Sequence, residues 1–294
     1  MDKNNSRLIV GRRQLLKTGA AAGFAGSSLL GFGSGTVRAA SNSSWDRIAE
    51  TGVVRMGVLS NHEPYHNLEQ GKWVGFAIEM GLDATAQLSA AMKKPLKVEY
   101  FETTLATVIL DIQSDKLDMY VGLSDSEERR KAIWLFGPIY ELPECAINSK
   151  GFNPGDTWDK YNNPSVTVSV VLGSTDEQAA RKMLPNAKIR ALKSTAEAIL
   201  DIQSGNSQMM VNTLLSGMAA AKATPNLSTP LVLSPLLNQP SMGGTRRDGD
   251  GKLGDFLMAW ALKYRADGKS RESIIAAMKH SGLDVSNLPA TLKF

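Results

Sequence analysis

Two short segments carry residue types and spacings that could do chemistry. His62-Glu63-Pro64-Tyr65-His66 spells H-E-x-x-H, the pattern that holds zinc in hydrolases. The pattern works only on a helix, where both imidazoles share a face. Pro64 removes a backbone N–H and disfavours helix at Glu63, and Asn67 to Lys72 is turn-like. A metal centre is therefore not expected there, and His280, the remaining histidine, lies near the other end of the chain. The second segment is Gly122-Leu123-Ser124-Asp125-Ser126-Glu127-Glu128-Arg129-Arg130-Lys131. The guanidinium of Arg129 is a planar fork of donors suited to a carboxylate. An arginine among four other charges could equally be a solvated helix residue, and its neighbours alone leave both readings open.

The elements that must position these residues alternate. Val53 to Leu59 reads as a strand. Ser60 to Lys72 is a polar turn region. Ile78, Leu82, Ala86, Leu88 and Met92 follow at helical spacing, interrupted by Thr85. Leu96, Val98 and Tyr100 alternate as a strand, Leu105 to Ile112 is a helix candidate, and Leu117, Met119 and Val121 alternate again. This order argues for an α/β sheet with parallel neighbours. It restarts with a strand at Val166–Leu172, a helix opened by Gly173-Ser174-Thr175-Asp176 and containing Ala179, Ala180 and Met183, a strand at Ile189–Ala191, a helix at 196–202 and a strand at 209–211. Ser174 and Thr175, just after Gly173, can cap that first helix. Its free N–H groups can also face an anion, and the two roles can coexist. Ile109-Leu110-Asp111-Ile112-Gln113-Ser114 recurs as Ile199-Leu200-Asp201-Ile202-Gln203-Ser204. Each copy ends a helix that leads into a strand, which suggests two related units with a cleft between them. Late in the chain Leu253, Phe256, Leu257, Trp260 and Tyr264 repeat as a core stripe. Gly268 stops that helix, and Ser270 is the expected cap of the next.

The N-terminus sets the compartment. Arg12 and Arg13, a weakly apolar run from Gly19 to Gly33 and the small residues around Ala39 and Ala40 have the layout of a cleavable twin-arginine signal peptide over residues 1–40. The apolar run is interrupted by glycines and too short to span a bilayer. The 294-residue chain has 33 Lys and Arg against 29 Asp and Glu. The signal holds Lys3, Arg7, Arg12, Arg13, Lys17, Arg38 and Asp2, which leaves 27 and 28 in the mature part. A net charge near −1 argues against nucleic acid or an acidic membrane as partner. Cys145, the single cysteine, cannot form an intramolecular disulfide and reads as a buried apolar residue.

Three stretches bring a family into view. Gly71-Lys72-Trp73-Val74-Gly75-Phe76-Ala77-Ile78-Glu79-Met80 resembles the signature of the family 3 extracellular solute-binding proteins, with Ala77 in place of its usual first acid. Gly122 to Lys131, followed by Phe136-Gly137-Pro138-Ile139-Tyr140, is similar to the family's lead into a crossover between lobes. Arg265-Ala266-Asp267-Gly268-Lys269 looks like its late helix stop. The order and spacing cover residues 51–282.

The resemblance implies an α/β, two-lobed periplasmic-binding-protein-like fold of type II. Two crossover strands would join lobe one (residues 45–141 plus 238–294) to lobe two (142–237), with a ligand cleft between. It implies a periplasmic, monomeric receptor, not an enzyme, that captures an amino acid or related small carboxylate for the membrane subunits of an ABC importer and needs no cofactor or metal. Arg129 would hold the ligand's α-carboxylate. Gly122 would offer a backbone acceptor and Ser124 a hydroxyl. Ser174 and Thr175 would contribute from lobe two, and His62 and Tyr65 would form an aromatic wall. Thr213 stands where the family commonly has the acid that receives an α-ammonium. It can accept a hydrogen bond but brings no charge, so either Glu63 supplies a charge or the ligand lacks the ammonium. Two alternatives stay open. One is an exported enzyme on the same scaffold, similar to cyclohexadienyl dehydratases, with Glu63 and His62 as acid–base candidates. The other is a receptor that signals to a membrane sensor.

Overall fold

The computed structural model describes residues 43–60, 62–286, 288 and 292. The export signal read from the sequence lies outside them. The described chain begins with α1 (Ser44–Thr51), β1 (Val53–Val58), β2 (Asn67–Glu69), β3 (Lys72–Val74), α2 (Phe76–Met92) and β4 (Lys97–Glu102). It continues through α3 (Val108–Gln113), β5 (Tyr120–Ser124), α4 (Glu127–Ala132) and the long β6 (Trp134–Asn148). Then come α5 (Trp158–Tyr161), β7 (Thr167–Val171), α6 (Thr175–Met183), β8 (Lys188–Leu192), α7 (Thr195–Gln203) and β9 (Met209–Thr213). The last elements are α8 (Leu214–Ala223), β10 (Leu231–Val232), β11 (Asn238–Thr245), α9 (Lys252–Ala266) and α10 (Lys269–His280).

In the first lobe β1 pairs in parallel with β4, from Val53 opposite Lys97 to Val58 opposite Glu102. A bridge between Met56 and Met119 joins β1 to the entry of β5. β5 lies antiparallel to β11, which lies antiparallel to β6. In the second lobe β7 runs parallel to both β8 and β9. β6 belongs to both lobes: Trp134 to Pro143 pair with β11, and Glu144 to Asn148 pair with β9. β6 and β11 are the two crossover strands.

Each lobe has its own core. Met56, Phe76, Leu88, Val121 and Phe136 pack with Leu257, Trp260, Tyr264, Ile274 and Met278, so α9 and α10 close the first lobe. Trp158, Tyr161, Val168, Val170, Leu184 and Val211 fill the second. The carboxylate of Asp118, wholly buried, accepts from the Arg55 backbone N–H at 2.6 Å and from Arg55 Nη2 at 2.8 Å, and pairs with Arg47 as well. It thereby ties α1 and β1 to β5. Cys145 is buried as expected. Its thiol donates to the Asn212 carbonyl at 3.2 Å, and burial pushes its pKa up.

The repeated six-residue motif is a repeated structure. In both copies the final Ser N–H bonds to the Leu carbonyl, Ser114 to Leu110 and Ser204 to Leu200, each at 2.9 Å. The next residue turns left-handed, Asp115 with φ 62° and Gly205 with φ 74°. The Asp carbonyl then accepts the two following amides, Lys116 and Leu117 in one copy, Asn206 and Ser207 in the other. Ile112 and Ile202 point inward, and Leu110 and Leu200 point to solvent.

Three local readings need correction. On α2 the buried residues are Phe76, Ala77, Ile78, Met80, Gly81, Ala84, Thr85 and Leu88, so Ile78 and Leu88 of the expected stripe hold while Leu82 and Ala86 are exposed. The helix approaches Met56 of β1 so closely that Gly81 has no room for a Cβ. Gly81 therefore sets the close contact with β1, and the buried face turns away from Leu82 and Ala86. Ser270 does not cap α10. Gly268, in the left-handed region at φ 76°, ends one helix and begins the next, and buried Ser270 donates to the Ile139 carbonyl of β6 at 2.8 Å. The region from Ser60 to Lys72 is more ordered than turns, since it holds β2 and half of its hairpin.

Gly243 lies where the pairing of β11 shifts register, and a Cβ there would fall inside the ring of Phe136, which is wholly buried. Gly243→Ala is expected to cost about 1–3 kcal/mol of stability, the usual penalty for overpacking a core. Urea unfolding at an unchanged m-value would measure it.

Candidate functional site

The carboxyl end of β5 supplies the first wall. Gly122 and Ser124 line a small cavity where that strand ends. Ser126 then caps α4 by accepting from the Arg129 N–H at 3.2 Å. The turn sorts the charge cluster. Glu127 and Lys131 pair at the surface with 80% and 74% of their side chains exposed, and Arg129 is left only 6% exposed. Arg129 Nη1 donates to the Ser124 carbonyl at 2.7 Å. Its Nη2 donates to the Gly173 carbonyl at 3.1 Å, across the cleft in the second lobe. Desolvation pulls the pKa of Arg129 down, opposed by Tyr120 and Asp176. A guanidinium stays protonated all the same.

The second lobe answers with the start of α6. Ser174 Oγ accepts from the Glu177 N–H at 3.1 Å, so it is the helix cap. Ser174, Thr175 and Asp176 all line the cavity and all are buried. Gly173 comes up against the first lobe: a Cβ there would lie 3.1 Å from Ala106 Cα and 3.3 Å from the Leu105 carbonyl, on a backbone with φ of 76°. Thr213, at the end of β9, meets Tyr65 hydroxyl to hydroxyl at 2.8 Å. A third link across the cleft, Gln178 to Glu128, measures 3.3 Å. The structure is thus a closed arrangement, with a cavity of about 40 Å³. That is room for a few waters, so an amino-acid-sized guest must enter with the lobes apart. A wider depression of about 500 Å³ lies at the mouth, among Ser60, Glu102, Thr104, Lys193 and Thr195.

Of the residues singled out in the sequence, His62, Tyr65, Gly122, Ser124, Arg129, Ser174, Thr175 and Thr213 surround this one cavity. Glu63 does not. It is exposed and accepts from Asn67 Nδ2 at 2.7 Å, because the chain closes a tight turn through the His62–His66 bridge and points Glu63 outward. The same turn rules out a helical zinc pattern. His62 and His66 sit with ring centroids 6.4 Å apart, and both ring nitrogens of His66 are buried without a partner. Desolvation lowers the pKa of His62 to about 4, so its ring is neutral at ordinary pH.

The sequence reading missed five cavity-lining polar and apolar residues, Leu105, Leu142, Asn212, Gln239 and Ser241, and, most consequentially, two acids. Asp176 lines the cavity. Glu144 is wholly buried on β6 directly opposite Thr213 of β9, behind the lining of the cavity. Neither Glu144 oxygen has a donor fixed on it, and Gln239 lies alongside. Burial first, and then the neighbouring acid, holds the pKa of Glu144 well above the carboxylate range. Burial likewise raises Asp176 to about 6, against help from Glu144, Arg129 and the start of its helix. Burial thus biases both carboxyls toward their protonated forms. The signal for Glu144 was present: a lone acid between Leu142-Pro143 and Cys145-Ala146-Ile147, in a stretch otherwise fit for burial.

Two lobes around a cavity with a buried guanidinium on one side and a buried carboxyl group on the other define a ligand-binding protein of the hinged, two-lobed class. Residues 54–273 match the family model described as bacterial extracellular solute-binding proteins, family 3. The chain belongs to that family. Among its relatives is the cyclohexadienyl dehydratase of Pseudomonas aeruginosa, 24% identical over 64% of this chain and 69% of that protein. Another is the L-cystine-binding protein TcyA of Bacillus subtilis, 24% identical over 76% of this chain and 80% of that one. An ancestral amino acid-binding protein, described as a precursor of cyclohexadienyl dehydratase, superposes with a TM-score of 0.69 at 26% identity over 80% of this chain and 99% of its own. The L-cysteine solute receptor of Neisseria gonorrhoeae shares the fold with a TM-score of 0.74 at 19% identity, covering 86% and 100%. The type II two-lobed fold expected from the sequence is thus shown, and binding proteins and an enzyme both occur among these relatives.

Asp176 makes stability depend on pH. The folded chain keeps a proton on it that the unfolded chain releases near the ordinary Asp value of 3.8. Its contribution is therefore full below that value and is lost as pH rises through about 6. Asp176→Asn is expected to flatten this decline. Thermal unfolding from pH 4 to 8 checks it, and an unaltered slope would show that Asp176 holds no such proton.

Proposed function

We propose that this protein captures an amino acid or a related small carboxylate in its inter-lobe cleft, in the periplasm, and delivers it to the membrane subunits of an ABC importer. The observation that carries the reading is Arg129, a guanidinium buried at the cavity and reached from both lobes. An anionic guest at this arginine would draw α4 and the start of α6 onto itself. Ligand contacts then favour the closed arrangement, which is how differential affinity drives a hinge. The relatives named for cystine, glutamine and histidine binding support the ligand class. The signal-like N-terminus supports export.

A second reading has a specific observation in its favour. An acid that stays protonated near neutral pH, beside a cavity with room for only a few waters, is what a general acid for dehydration requires. Glu144, next to Asp176 in its electrostatic environment, supplies it where Glu63 cannot, and one relative is a dehydratase. On this reading the cleft would turn over a carboxylated ring substrate.

A thermal-shift panel of amino acids, 2-oxo acids and arogenate-like compounds separates the two. A true ligand at about 100 times its Kd should stabilise the protein by about 2.7 kcal/mol through mass action. A shift without turnover is the expected result, and product formation would replace the receptor reading with the enzymatic one. Arg129→Ala should weaken binding of the compound that shifts most by about 2–5 kcal/mol, the cost of leaving a buried charge unpaired. An unchanged Kd by calorimetry would remove Arg129 from the site.

A further inference from the structure

Over Leu214–Ala223, α8 is apolar on all sides and carries a single charge, Lys222. A helix without a polar face must be covered all round, and this one is covered by two different bodies. Leu214 and Ala220 belong to a second-lobe cluster with Cys145 and Ile202, and Ala221 packs on it. Gly217 lies on the same side, where a Cβ would come within 2.9 Å of Ile147 and 3.0 Å of Pro230. The opposite stripe is Leu215, Met218, Ala219 and Lys222, spaced by three and four residues so that they share one face. That face meets the first lobe. Leu215 is wholly buried in the first-lobe core, Ala219 packs on it, and Met218 packs on the clusters of both lobes. Lys222 Nζ donates to the carbonyl of Ser281, the residue that ends α10. A lysine of one lobe thus caps a helix of the other. The chain beyond α10 adds to the seam. Val285 and Leu288 pack on the first-lobe core, and Leu292 packs on the clusters of both lobes.

We propose that this seam is a device that sets the balance between open and closed arrangements from outside the cleft. α8 follows β9 without a break and shares the core of the second lobe, so it travels with that lobe. It starts at Thr213, on the ligand cavity, and ends about 15 Å away at the Lys222 clasp. Opening turns the second lobe about the crossover strands and shifts the face of Leu215, Met218 and Lys222 against the first lobe. The closed arrangement buries that face, so the lobes are held together by contacts that no guest touches. Leu292 keeps its contact with both lobes only in this arrangement. Differential burial between two states biases their populations. Apparent affinity then scales with the fraction of molecules competent to bind. The device acts whatever the guest is, and it does not depend on the ligand class proposed above.

Small-angle X-ray scattering of the ligand-free protein reads the balance directly. Met218→Ala and Leu292→Ala are each expected to lower the closed-to-open ratio about three- to tenfold, through the part of a Met or Leu side chain's burial that the seam supplies. Lys222→Ala should lower it about twofold, the effect of one exposed hydrogen bond. Leu292 is only half-buried and lies near the chain end, so its truncation tests the seam even if Met218→Ala fails to fold. Leu262→Ala, exposed on α9 and outside both clusters, should leave the scattering unchanged. Calorimetry with L-glutamine, L-histidine, L-arginine and L-cystine gives a second readout. The Kd of any probe that binds should weaken by the factor by which the closed fraction falls, although Met218, Lys222 and Leu292 do not line the cavity. Scattering from Met218→Ala and Leu292→Ala that matches the unaltered protein overturns the inference. So does equal widening by Leu262→Ala, or a widened molecule with an unchanged Kd. If no probe binds, the receptor reading loses its support, and scattering alone decides the seam.

Discussion

Everything in this molecule is arranged by one strand that belongs to two sheets. β6 pairs with β11 up to Pro143 and with β9 from Glu144 onward. The exchange of partners happens within a single peptide step. Because the backbone hydrogen bonds are satisfied on both sides of that step, the lobes can turn about it without either sheet being broken. The same step decides which side chains meet at the cleft. Leu142 lines the cavity from one side of the exchange, and Glu144, on the other, lies opposite Thr213. A shift of one residue in this register would send the acid to the opposite face of the sheet.

The cleft shows how a modest set of charges is made strong. Arg129, Asp176 and Glu144 are all withdrawn from water, so each exerts its field in a medium of low effective dielectric. The arginine is held by carbonyls drawn from both lobes, and burial biases both acids toward their protonated forms. Neither arrangement stabilises the fold as well as an apolar core would. Such sites are kept for recognition, and the cores of the two lobes, closed by α9 and α10 on one side and by Trp158 and Tyr161 on the other, carry the stability.

Much of this was legible in the sequence. The alternation of strands and helices, the restart near Val166 and the repeated Ile-Leu-Asp-Ile-Gln-Ser motif all follow from short-range periodicity, and the structure reproduces them down to the capping hydrogen bonds. Eight residues named from the sequence lie around one cavity because they sit at strand ends and helix starts, places that punctuation residues mark. What was not legible came from long-range pairing. Glu144 shows in the sequence only as an acid in a stretch fit for burial, and its place near the cleft appears when β9 is laid beside it; Asp176 reads as an ordinary first-turn acid until the lobes close. Glu63 failed for the converse reason: the tight His62–His66 turn decides its direction, and no periodicity reports that. Leu82 misled because the contact of α2 with β1 is set by Gly81 and not by bulk.

The sequestration of Cys145 has a practical side. The chain has a single thiol, and it is wholly buried on the shared strand, with its pKa pushed up by burial. It is therefore a poor nucleophile toward maleimides and iodoacetamides. Cysteines introduced at exposed sites on the repeated helices, in place of Leu110 on one lobe and Leu200 on the other, would react without interference from the native residue. The molecule is in effect already blank for dye labelling, and the opening and closing of its two halves can be followed as a distance between fluorophores.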